Sequence, residues 1–248
     1  HKDGLSPQKR TKLINFARKV NADLMECGFE YCPAGMMAGN EEWCLSISDW
    51  KNKFEKWILS PTPKSVMFTT IFFDMHSIFG NKTLLDDLQK GIQQNLRKHP
   101  EFLSFLANDA LKNPAPLSFL NNLVVEQDGA HKNEFDIKAR GIMPFVDAAR
   151  VLALAKGNTA IVNTDQRLES AAKEWPEQKE LFQAASKAYH RLLTYRYRQA
   201  RASKDSGRFI KPDSLDSYDR QLMKQCFSPL KELQSFVRRT FDTDLLPS

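Results

Sequence analysis

The stretch "EQDGAHKNEFDIKARGIMPFVDAAR", Glu126 to Arg150, crowds Asp128, His131, Asp136, Lys138, Arg140, Asp147 and Arg150 into one short span. Lysine offers a compact positive charge and arginine a planar fork, and both suit a triphosphate. An Asp-Gly turn dipeptide at 128–129 sits within "LVVEQDGAHKNEFDIK", and Phe135 and Ile137 alternate with Asp136 and Lys138. That pattern predicts a short two-stranded hairpin with Asp136 and Lys138 on one face of the second strand. After Gly141 the spacing of Ile142, Phe145, Val146, Ala149, Leu152 and Ala153 is helical, stopping at Gly157. Asp147 and Arg150, three apart, share a face of that helix. A helix start delivered beside Lys138 and Arg140 would present free N–H groups and a positive end, which is an anion site. The same residues also fit a plainer role, in which Asp136–Lys138 or Asp147–Arg150 ion pairs fix the hairpin on the helix. Spacing leaves both open and slightly favours the ion pairs.

Other candidates are weaker. Asp74 lies in the apolar run "FFDMHSIFG", where a buried carboxylate needs a basic partner or a cap. "HRLLTYRYRQARASKDSGRFIK" interleaves Arg191, Arg196, Arg198, Arg201, Lys204, Arg208 and Lys211 with Tyr195 and Tyr197, a cue for phosphate or nucleic acid. Residues 191, 195 and 198 share one helical face, whereas 197 and 201 share another, so no single basic stripe forms. Cys27 and Cys32 have metal-like spacing without a second close pair, so small buried thiols are expected. "DTD", Asp242 to Asp244, falls near the chain end and is discounted as a metal site. No GxGxxG, P-loop, HExxH or GxSxG is present.

The elements that must position these groups are mostly helices. Glycine is scarce, at 10 of 248 residues, and helix formers are common. The chain is 42% hydrophobic, enough for one large or two small cores. Helical periodicity runs through 7–27, with Gly28 as its stop. "FEYCPAGMMAGNEEW" suggests one strand and a tight loop. "SISDWKNKFEKWIL" predicts a helix capped by Ser46 or Ser48, with Trp50, Phe54 and Trp57 on a core-facing side. "TPKSVMFTTIFFDMHSIFGN" predicts a nearly wholly buried helix ending at Gly80. Further helices are expected to 112, after 163, from Pro176 and from 214, the last bent near Pro229. The fold class is therefore mainly α, a helical bundle with a small β-hairpin. Asp74 and His76 interrupt the nearest apolar run, so no membrane span is expected. A formal charge of +6 points to anionic partners. Four cysteines without a disulfide pattern predict a cytoplasmic protein. The start at His1 suggests part of a longer polypeptide.

At this point the residues resemble a known family. "EQDGAHKNEFDIKARGIMPFVDAARVLAL" followed by "NTDQRL" is similar to the C-terminal helical substrate-binding domain of bacterial nucleotidyltransferases related to PII uridylyltransferase. "CPAGMMAGNEEWCLSISDWKNKFEKWI" and "IFFDMHSIFGN" resemble the last part of the nucleotidyltransferase domain itself. "LLTYRYRQ" and "LDSYDRQLMKQCFSPLKELQ" resemble the family's closing helices. The resemblance implies residues 1–98 as the remnant of an α/β nucleotidyltransferase domain and 99–248 as the helical domain. It implies Mg²⁺ and a nucleoside triphosphate in an intact parent, held by a Gly-Ser motif and paired aspartates that this chain lacks. The chain is accordingly expected to hold no cofactor and to be inactive alone. It further implies an acceptor, for which a protein such as PII is one candidate, and upstream cyclic-nucleotide-binding and CBS domains of a signalling protein. His76 stands where the family carries arginine, and Asn81 where it carries aspartate. The family pattern through the opening stretch is intact, which tilts Lys138 toward phosphate, with Arg140 or His131 beside it and Asp136 and Asp147 orienting them; Asp128 and Arg150 complete the expected site. A non-catalytic nucleotide-sensing or protein-docking module competes with this reading, and a nucleic-acid binder using Arg191–Lys211 is the least favoured.

Overall fold

In a computed structural model, residues 1–119 and 122–245 are described. The first helix, α1 (Pro7–Glu26), starts where Ser6 caps Lys9 N–H and Pro7 supplies a pre-set φ, and it stops at Cys27 before Gly28, whose φ is 94°. Residues 29–46 form turns, and the strand expected there is absent. Pro33, Gly35 and Gly39 favour turns, and local bonds such as Gly35 N–H to Cys32 C=O satisfy the backbone. α2 (Ile47–Leu59) is capped by Ser46, and α3 (Pro63–Phe72) opens with a reciprocal Thr62–Ser65 capping box. α4 (Thr83–Lys98) and α5 (Glu101–Ala110) follow.

Trp50, Phe54 and Trp57 pack inward as their spacing predicts. Trp50 and Trp57 meet Trp43, Phe68 and Phe72, and Phe54 meets Trp50, Trp57 and Phe73, with ring centroids 4.9–6.0 Å apart in edge and offset contacts. Phe73 then reaches Phe102 of α5 at 6.5 Å, joining this aromatic cluster to the second half of the core.

The second half turns around α6 (Met143–Ala155), which is apolar apart from Asp147 and Arg150 and buried from Pro144 to Leu154 apart from Val146 and Asp147. α5, α7 (Thr164–Glu174) and α10 (Phe227–Thr240) pack on it, and α8 (Lys179–Ser203) lies across α7 and α10. α9 (Ser217–Gln225) is separated from α10 at Cys226 rather than bent at Pro229. Pro229 occupies the first turn of α10, where its missing N–H is no loss.

The mainly helical class with a small antiparallel sheet holds, but the sheet is not a local pair. β1 (Phe135–Asp136) pairs with β2 (Phe209–Ile210), Phe135 opposite Ile210 and Asp136 opposite Phe209. The chain does double back at Asp128-Gly129, closed by Glu126 N–H to Glu134 C=O and Asn133 N–H to Glu126 C=O. Two further expectations are corrected. The helix from Pro63 ends at Phe72, because Asp74 is drawn to two arginines, and Ile78 and Phe79 beyond it are 89% and 97% exposed. All four cysteines are free; Cys27 and Cys32 are exposed, Cys44 is half-buried and only Cys226 is buried, since the first two follow the end of α1 away from the core. Among the described residues no helix is long and apolar enough to cross a membrane.

Candidate functional site

The residues of the opening stretch do not converge on one pocket wall. Ile137–Ile142 forms a π-helical turn that runs straight into α6, with Met143 N–H bonded to Lys138 C=O. Gly141 therefore does not open a helix, and the N–H groups expected to face an anion are used inside one continuous coil. The real N-terminus of that coil is Asp136. Its Oδ1 accepts from Ala139 N–H at 2.8 Å, and its Oδ2 accepts from Nε and Nη2 of Arg208 at 2.9 and 2.7 Å. A carboxylate thus stands where a phosphate would sit. Gly141 has a packing role instead: a Cβ there would meet Ile137 at 3.4 Å and Leu192 of α8 at 3.6 Å.

Lys138 is exposed, does not share a strand face with Asp136, and makes no ion pair among the described residues; Asp128 is likewise exposed on the turn. Arg140 bonds Glu126 at 2.9 Å. Of the two ion pairs that spacing left open, Asp147–Arg150 forms, at 2.6 Å. It belongs to a buried network. Arg150, 4% exposed, also donates from Nε and Nη2 to the two oxygens of Asp74, at 3.0 and 2.8 Å. Arg167 of α7 donates to Asp74 and, at 2.7 Å, to Ile161 C=O. Every nitrogen of Arg150 is bonded to a carboxylate, so its guanidinium is already occupied within the protein. Burial works against the charge on Asp74, but Arg150 and Arg167 outweigh it and hold the carboxyl below its usual range. Asp147 goes the other way, pushed up by burial against Arg150 alone.

One member of the stretch, His131, does face a cavity. Its ring lies on Phe209 with centroids 3.5 Å apart and planes 5° from parallel, and its Nδ1 bonds Glu134 at 2.7 Å. These residues line a groove of about 770 Å³ between α8 and the segment 205–219, together with Tyr195, Arg198, Lys211 and Asp219. A second arm of about 650 Å³ shares Tyr195, Arg198 and Asp219 and continues past Lys187, His190, Arg191 and Tyr218. The divider between the arms is a fixed hydrogen bond, Tyr195 Oη donating to Asp219 Oδ1 at 2.8 Å. Burial, then the Asp219 carboxylate, raises the Tyr195 hydroxyl well above its ordinary value, so it stays a donor.

The charges along this groove are asymmetric. Glu134 is bonded by His131; Asp205 accepts from Gly207 N–H and Ser203 Oγ, each at 2.7 Å; Asp219 accepts from Tyr195. Arg198, Arg191 and Lys187 are exposed and form no ion pair among the described residues. Lys211 is exposed and 3.9 Å from Glu134, a long pair; with its anions satisfied and Arg198, Arg191 and Lys187 unpaired, the groove attracts an anionic ligand. The basic, aromatic segment 190–211 carried the sequence signal, and the shared face of 191, 195 and 198 is the face that lines the groove. Phe209 and Asp219 carried no signal, because their roles depend on partners far away in sequence. Among the described residues, no group of three His, Cys, Asp or Glu could hold a metal ion.

A family model described as "Putative nucleotidyltransferase substrate binding domain" matches residues 100–241. A second, described as "Putative nucleotidyltransferase DUF294", matches residues 1–64. No curated protein and no solved structure matches the chain.

Proposed function

Because the chain belongs to the family of putative nucleotidyltransferase substrate binding domains over residues 100–241, we propose that the groove along α8 holds the nucleoside triphosphate for nucleotidyl transfer. The base stacks on the outer face of His131, which Phe209 backs and Glu134 orients, and the phosphates lie on Arg198 and Lys211. The observation that carries this reading is a stacked His131–Phe209 pair and an arginine without an acidic partner lining one groove. Stacking of this kind contributes roughly 1–3 kcal/mol per base.

In the transfer, the oxygen of an acceptor hydroxyl bonds to the α-phosphorus and gives up its proton to solvent or a neighbouring base, the bridging bond to the β-phosphate breaks, and pyrophosphate leaves with the electron pair. Family members imply Mg²⁺ for that step, but the described residues offer no cluster that fits it, so the ion is not assigned to this chain. The acceptor would be a small molecule or a protein such as PII, in a signalling polypeptide with further regulatory domains. The free, exposed thiols of Cys27 and Cys32 support a reducing, cytoplasmic setting.

Calorimetric titration of the chain with each nucleoside triphosphate tests the assignment. Arg198→Ala should weaken binding about tenfold or more, as loss of a charge-assisted contact of about 1.5–3 kcal/mol implies. Lys138→Ala discriminates: if it weakens binding and Arg198→Ala does not, the site lies at the π-helical turn and not in the groove.

A further inference from the structure

The second arm of the groove differs chemically from the first. Lys187, Arg191 and Arg198 stand along one face of α8, and no carboxylate pairs with them among the described residues. His190 lies among them with its ring fixed from behind. Its Nε2 is 2.7 Å from Asp165 Oδ2, and Asp165 Oδ1 accepts from Ser186 Oγ at 2.8 Å. In the neutral ring that pairing places the proton on Nε2 and leaves Nδ1 as a lone pair that can accept a hydrogen bond. The arm therefore combines cations for a phosphate with an oriented acceptor for a hydroxyl. The first arm combines cations with a stacking shelf.

Size separates the two as well. From Lys187 to Ser203 the lining face of α8 runs about 24 Å, at about 1.5 Å per residue. Each arm alone, at about 770 and 650 Å³, has the volume of a complete small-molecule site. The Tyr195–Asp219 hydrogen bond stands between them, with Arg198 bordering both.

We propose that the second arm is the acceptor site, taking a small phosphorylated molecule that carries a free hydroxyl, with its phosphate on Arg191 and Lys187 and its hydroxyl donating to His190 Nδ1. This rests on reading the first arm as the nucleotide site. Arg198, which lines both arms, marks the end of the second arm at which acceptor and triphosphate would meet.

Glycerol phosphate serves as the probe, titrated into the chain alone and with a nucleoside triphosphate present, while the imidazole signals of His190 are followed by NMR. In the wild type the probe should bind, shift the His190 signals and remain bound when the triphosphate is added. Arg191→Ala should weaken the probe about tenfold and the triphosphate far less, Arg191→Lys should restore most of the loss, and His131→Ala should do the reverse of Arg191→Ala. No binding of the probe, or probe affinity unchanged by Arg191→Ala, overturns the acceptor site and leaves the nucleotide reading standing. Equal weakening of both ligands by Arg191→Ala also overturns it, because one ligand would then span both arms. Displacement of the probe by a short single-stranded oligonucleotide, with affinity falling steeply in salt, overturns it in favour of a nucleic-acid face. Probe binding that depends on Arg191 without any triphosphate binding would remove the nucleotide assignment and, with it, the acceptor role of the second arm.

Discussion

Arg150 holds Asp74 across 76 residues of sequence through two parallel hydrogen bonds, Nε to Oδ1 at 3.0 Å and Nη2 to Oδ2 at 2.8 Å. The pair ties the end of α3 to α6, and Arg167 adds α7 to the same carboxylate. It fastens the segment that follows the aromatic cluster onto the helical half of the chain.

Removing Arg150 leaves Asp147 without a cationic partner and Asp74 with Arg167 alone. Arg150→Ala should therefore destabilise the fold by about 3–5 kcal/mol, read as a lowered midpoint in urea denaturation. An unchanged midpoint would show that Asp147 and Arg167 compensate fully.

The two carboxylates around Arg150 give opposite pH dependence. Asp74 has its folded-state carboxyl held down, so its contribution is present above the unfolded value near pH 4 and is lost as pH falls through the folded one. Asp147 is pushed up, so its contribution is present below the unfolded value and lost as pH rises through the folded one. Between pH 5 and pH 3, Asp74→Asn should lose less stability than the wild type and Asp147→Asn should lose more. Denaturation curves across that range decide it; parallel losses in all three proteins would contradict the assignment.

Asp136 caps the π-helical turn with one oxygen and binds Arg208 with the other. Asparagine keeps an acceptor for the cap, whereas alanine removes both functions. Asp136→Ala should cost the cap, about 0.5–2 kcal/mol, in addition to the ion pair, and Asp136→Asn should fall between it and the wild type. Thermal denaturation of the two variants ranks them, and equal melting temperatures would mean that the cap contributes nothing.

Gly207 has φ of +63°, and a Cβ there would overlap the carbonyl of Arg196 on α8. Only glycine lets the chain return this close to α8 on its way to β2. Gly129, also at positive φ (+71°), has open space around it. Gly129→Ala should cost about 1–2 kcal/mol, the conformational part alone. Gly207→Ala should cost clearly more and weaken triphosphate binding by displacing Phe209 and Lys211. Comparable losses from both substitutions would remove the close approach as the cause.

Helix limits are legible in the sequence because their causes lie within four residues. Ser46 and Asn163 cap, Gly28 and Gly157 stop, and the Trp50–Phe54–Trp57 stripe turns inward whatever lies opposite. The need of Asp74 for basic partners is legible too, since a carboxylate among apolar residues has few alternatives. The identity of those partners is not, and neither is the end of α3 that follows from it.

The stretch from Glu126 to Arg150 shows the same limit. Its own order determines that Asp147 and Arg150 can pair, that Asp128-Gly129 turns back, and that α6 is buried. Whether its charges face a ligand depends on groups brought from elsewhere. Arg208 arrives from 72 residues away to neutralise Asp136, Asp74 arrives to occupy Arg150, and Phe209 arrives to make a shelf of His131. Charge pattern along a chain fixes what a side chain can bond to, but desolvation and the nearest opposite charge decide which bond forms, and both are properties of the packed helices alone.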